Sequence, residues 1–160
     1  MTSFALPLES ELKLPSPTEC FKDLLERKIP EHEIPGGVVV GPLNHEQQQL
    51  GGVALALAGR PRVHEAAVIN ARMSVRCVGP TLDVADRIAF VIDAAAQMLL
   101  FHRELAHQFN GMEYLVHFAN VTAGPSHHRD SNATWEALMF VEMMMSLDPV
   151  TGPGDDDPSV

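Results

Sequence analysis

The amino-acid sequence predicts an α+β domain: a small mixed, largely antiparallel sheet with helices packed on it. Three observations predict it. Residues 69–77 alternate without interruption between Ile69, Ala71, Met73, Val75 and Cys77 and the polar Asn70, Arg72, Ser74 and Arg76, the period of a half-buried strand. Residues 82–99 instead place Leu82, Ala85, Ile88, Ala89, Ile92, Ala95, Ala96 and Leu99 on one stripe at helical spacing. Two more alternating segments, "MEYLVHFANVTA" and "WEALMFVEMMMSL", flank a run of turn formers, "GPSHHRDSNA", so they are expected to pair as antiparallel neighbours.

Taken in order, residues 1–17 carry Pro7, Pro15 and Pro17 with no sustained period and read as an arm. A helix of about three turns is expected next. Ser16 stands as its cap, Pro17 at its first position and Glu19 as the partner in a capping box, with Phe21, Leu24 and Leu25 as its apolar stripe and Pro30 as its stop. "GGVVVGP" at 36–42 fits a buried strand; "VALALA" at 53–58 suits a strand or a helix equally. After the alternating strand, Gly79 and Pro80 break the chain, Thr81 can cap, and Asp83 and Asp86 sit in the first turns, where the helix dipole favours carboxylates. The long helix is expected to run to about Gln108. Phe90, Leu100 and Phe101 fall off its main stripe, which suggests a helix packed on more than one side. The domain spans 18–149, and 150–160 reads as an acidic flexible tail.

A chain of 160 residues with 46% apolar content is one domain able to bury a core. Its formal net charge is −10, with three lysines and eight arginines and no basic run, which argues against a phosphate-gripping, sequence-specific DNA-binding surface. Cys20 and Cys77 fall in a helix and on the inward face of a strand, where a free thiol acts as a small hydrophobe. The start lacks a basic region followed by an apolar one, so export is not expected. The longest apolar tract, "IAFVIDAAAQMLLF", has 14 residues and contains Asp93. A bilayer span needs about 20, so no membrane partner is expected.

Chemistry finds little support. In "HRELAH" His102 and His107 are five apart, about 140° around a helix, so one helix face cannot present both to a metal. His127 and His128 are adjacent in the turn-rich connection and would need further ligands. The glycine pairs lack the flanks of a phosphate loop, no G-x-S-x-G elbow occurs, and Asp130 beside His128 has no nucleophile. No catalytic residue, metal site or cofactor is therefore expected. A small metal-dependent hydrolase using His127, His128 and Asp130 is the alternative from that class.

The order "VINARMSVRCVGPTLDVADRIAFVIDAA", then "NVTAGPSHHRDSNATWEALMFVEMMMSLDP", resembles the tail terminator proteins of long-tailed bacteriophages, also described as minor capsid or tail completion proteins. In that family a strand with an Arg-x-Arg-like pattern and a Gly runs into a long helix, and a later Gly-Pro, Asp and Trp-led strand closes the sheet. The matching positions are Arg72, Arg76, Gly79, Ala85, Ile88, Gly124, Pro125, Asp130, Trp135, Phe140 and Val141, within residues 36–149; the proline-rich arm and the acidic tail depart from the pattern.

The resemblance implies a structural virion protein found in the host cytoplasm during assembly and then at the tail and neck junction. As a hexameric ring it would sit on the head-proximal end of the tail tube, stop tube polymerisation, and dock the neck or head-completion protein. DNA would cross its lumen without specific binding. A neck connector of the head-completion type is the alternative within the same setting. On this reading Arg72 and Arg76 pair with carboxylates of a neighbouring subunit or the tube, a 125–132 loop with His127, His128, Arg129 and Asp130 touches neck or tube, and Phe90 and Phe101 pack between elements.

Overall fold

The computed structural model describes residues 16–64, 68–101, 106–109, 112–129 and 133–147. The expected arm, apart from Ser16 and Pro17, and the acidic tail lie outside the described residues.

The chain opens with α1 (Pro17–Lys28), whose Cys20, Phe21, Leu24 and Leu25 are buried, and the Ile29 amide closes it by donating to the Leu25 carbonyl at 2.8 Å. Its expected capping box does not form. The Ser16 hydroxyl instead shares a 2.8 Å hydrogen bond with the Thr18 hydroxyl, and no side chain caps the helix. A short 3₁₀ turn (Glu31–Glu33) leads to strand β1 (Val38–Val40) and helix α2 (His45–Leu50). There a capping box does close: the Gln47 amide donates to Asn44 Oδ1 at 2.8 Å, and the Asn44 amide donates to Gln47 Oε1 at 3.0 Å.

Strands β2 (Gly52–Leu57), β3 (Arg62–His64) and β4 (Val68–Gly79) follow, then helix α3 (Leu82–Phe101) and strands β5 (Ala106–Phe109), β6 (Met112–Arg129) and β7 (Trp135–Leu147). The segment 53–58 that suited either state is thus mostly strand. Among the described residues the strands form one sheet in the order β1-β2-β4-β7-β6-β5, with β3 beside β4. Only the β1–β2 pair is parallel. This is the expected α+β class.

β4 and β7 form the sheet's centre, paired over Val68–Gly79 and Trp135–Ser146. Ile69, Ala71, Met73, Val75 and Cys77 of β4 and Ala137, Met139, Val141, Met143 and Met145 of β7 are buried on one face. Helix α3 lays Ala85, Ile88, Ala89, Ile92, Ala95 and Ala96 on that face, and α1 adds its stripe, making one core. The Val84 amide donates to Thr81 Oγ1 at 3.3 Å, so Thr81 caps α3 as its sequence position suggested.

Two expectations about extent are corrected. The long helix is described as far as Phe101 and does not reach Gln108, because residues 106–109 pair as β5 with 112–115. Phe109 is paired with Met112 at the end of this ladder. The connection expected at 124–133 is also shorter. β6 continues through His127 and His128 to Arg129, paired with β7 across register shifts between Val116 and Phe118, Val121 and Ala123, and Ala123 and Ser126. Gly124 makes this possible: its φ is +93°, and a Cβ there would lie 2.5 Å from the Leu138 carbonyl oxygen.

Candidate functional site

The helices α1 and α3 cover one face of the sheet, and among the described residues most of the other face is open. On that second face Leu43, Val39, Ala54 and Val78 gather over one corner. The rest is a mixed field. β4 contributes exposed Arg72 and half-buried Ser74 and Arg76, and β7 contributes half-buried Glu136, Leu138, Phe140, Glu142 and Met144. Alternation puts these residues here: each neighbours a buried core position, so its side chain points the opposite way.

The two arginines singled out from the sequence share this face but differ in environment. Arg76 donates from Nε to Glu136 Oε1 at 2.9 Å and from Nη2 to Glu136 Oε2 at 3.1 Å, a two-point pair between β4 and β7. This carboxylate lies in its own chain, where the resemblance had placed the partner on a neighbouring subunit or the tube. Arg72 lies with its guanidinium carbon 4.6 Å from the centre of the Phe140 ring and stays exposed, opposite Glu142 in the register.

Of the residues expected in a 125–132 loop, 125–129 are held on strand β6 instead. His127 Nε2 lies 2.7 Å from Asp86 Oδ1, tying the end of β6 to the start of α3, while His128 Nε2 lies 3.2 Å from Ser126 Oγ. Adjacent strand residues face opposite ways, so these are separate pairs on separate faces and do not compose a Ser-His-Asp relay. The Arg129 guanidinium carbon sits 5.9 Å from the Trp135 ring centre. Asp130 lies outside the described residues.

Phe90 corrects another expectation. It is 73% exposed on α3, with Met98 50% exposed two turns further on, so among the described residues it is not buried between elements. Beneath it a hollow of about 210 Å³ is lined by Asp86, Asp93, Val121, Pro125 and Met139. The Phe101 side chain lies outside the described residues. Another hollow, of about 710 Å³, opens between the end of α1 and β1, the first strand of the sheet order, lined by Leu25, Ile29, Ile34 and Val38 with Glu26, Glu31 and His32.

Both thiols sit in the core. Burial, aided by Asp23, pushes Cys20 up to about 12, and burial pushes Cys77 higher still. Neither is poised as a nucleophile at neutral pH. Among the described residues no three of His, Cys, Asp and Glu gather where they could hold a metal ion. Sequence reasoning passed over Glu136, Met98, Arg60 and Arg62. The signal for Glu136 was available in its strand parity, which places it on the same face as Arg76.

A comparison with protein-family models finds no match, and neither does a comparison with curated proteins.

Proposed function

We propose that this chain is a structural virion protein of a long-tailed bacteriophage that assembles as a ring on the head-proximal end of the tail tube, ends tube polymerisation and offers a docking face to the neck. The observation that carries this reading is a pair of unlike faces on opposite sides of a two-layer subunit. One is the open sheet face with Arg72, Phe140 and Met144; the other is the outer stripe of α3 with Phe90 and Met98. A closed ring is built from head-to-tail contacts, in which each subunit presents two different patches, whereas a two-fold dimer uses one patch twice. The net charge of −10 suits a channel wall that DNA crosses without adhering, because like charge repels phosphate within about a Debye length of 8–10 Å.

Arg76 belongs to the internal frame on this account, and Arg72 and Phe90 belong to the contacts between subunits. A solvent-exposed ion pair contributes about 0–1 kcal/mol, so charge reversal tests Arg72 better than truncation. Native mass spectrometry of the wild type should give a closed oligomer. Phe90→Asp and Arg72→Glu should each shift it towards monomer while circular dichroism stays unchanged. Rings that survive both substitutions would remove these residues from the interface, and a wild type that stays monomeric would remove the ring. Rings that bind portal-side proteins and ignore tail tubes would transfer the chain to the neck.

A further inference from the structure

Arg60, Arg62 and Arg72 line one shallow hollow of about 370 Å³ at the β3 end of the open sheet face, with Asn70 and Glu142. Arg62 faces Asn70 across the β3–β4 pair, and Arg72 follows two residues along β4, so both rise from the same face. All three arginines are exposed, and Glu142 is the one carboxylate among the residues lining the hollow. Neither Arg60 nor Arg62 has an ion-pair partner among the described residues. The hollow is a compact positive site on a chain of net charge −10.

We propose that this hollow receives the chain's own acidic C-terminal segment, with Asp155, Asp156 and Asp157 set against Arg60, Arg62 and Arg72. Charge and reach carry the assignment. Residues 148–160 hold four aspartates and no lysine or arginine. They leave from Leu147, whose predecessor Ser146 pairs with Val68, while Met144 lies level with Asn70 and hence with Arg62. The hollow is therefore about 10 Å back along the strands and about 10 Å across two strand spacings from Leu147. Asp155 is eight residue steps from Leu147, which span up to about 26–29 Å when extended, ample for that path. Pro149, Gly152, Pro153 and Gly154 supply turn formers for the reversal.

A tethered segment acts at an effective concentration in the millimolar range, whereas a polyanion from elsewhere must approach a chain that repels it. The proposal stands apart from the ring. Within a ring, carboxylates of a neighbour would compete with the segment for Arg72.

The test places a nitroxide spin label on Ser159→Cys in the full chain and reads amide signals by NMR; Cys20 and Cys77 are buried and leave the new thiol as the labelling site. Signals of Arg60, Arg62 and residues 70–72 should lose intensity in low salt. They should recover it in high salt and in the Asp155→Asn, Asp156→Asn, Asp157→Asn variant. Absence of broadening at the hollow, or broadening indifferent to salt and to the asparagine variant, would overturn the proposal. Isotope-labelled chain without the tag is then mixed with tagged, unlabelled chain. Broadening in that mixture equal to that within one chain would replace the chain's own segment by a second copy's.

Discussion

Arg72 and Arg76 lie four positions apart on one face of β4, yet one is held and the other is available. Glu136 is the reason. Its side chain is 16% exposed and its carboxylate takes both hydrogen bonds from Arg76, whereas Arg72 has an aromatic ring below it and is exposed to solvent. Arg76→Ala should lower stability by about 1–3 kcal/mol, because it leaves a largely buried carboxylate without its partner. Arg72→Ala should cost about 0.5–1 kcal/mol, the range of an exposed cation–π contact. Urea unfolding of both variants checks the difference; equal losses would show that the Glu136 pair does not distinguish them.

Three buried acids give a second residue-scale expectation. The thiols of Cys20 and Cys77 ordinarily ionise near 9.0, and the Tyr114 phenol near 10.0. Burial raises all three in the folded chain, Cys20 to about 12. Above pH 9.0 the unfolded chain therefore binds fewer protons than the folded one, so stability is at its full value below that pH and is lost as pH climbs towards about 12. Unfolding free energies measured at about pH 8 and about pH 11 should fall, and Cys77→Ala should flatten the slope. A pH-independent value across that window would contradict the burial of these groups.

Among the elements, α3 and the β4–β7 pair were legible because their periods are long and clean. β6 was legible only in part. Its first half alternates from Tyr114 to Val116, but the irregularity at His117 moves the inward positions from even to odd, so that Ala119 is buried next. Its second half carries Gly124, Pro125, Ser126 and two histidines, turn chemistry by composition, which the long β7 partner recruits into the ladder. Pairing between distant segments overrides local preference here, and that information lies outside any short window. Gly124→Ala should cost about 2 kcal/mol or more, since it combines a positive φ with a Cβ against the Leu138 carbonyl. Hydrogen exchange should then quicken at Ser126–Arg129 more than at Tyr114–Ala119. Uniform protection in the variant would mean that β6 accommodates the methyl group.

For the molecule as a whole, the sequence revealed which positions are inward, and therefore that Arg72 and Arg76 share an outward face. It did not reveal that the outward face is left largely open among the described residues, because cover depends on where the helices pack, and α1 and α3 lie on the other side. Nor did it reveal that Phe90 stays exposed among the described residues, since a helix apolar on two sides reads the same whether its second side meets its own chain or another. The proposed ring uses these two uncovered faces. Its net charge of −10 further requires that association strengthen with moderate salt, by screening repulsion between subunits, until the arginine contacts are screened in turn.

Electron microscopy of the purified protein mixed with tail tubes of the phage that the proposal assigns it to tests this account most directly. The account predicts rings seated at one end of each tube, the head-proximal end, and no further tube growth from that end. Bare tubes beside a 17.5 kDa monomer would contradict it.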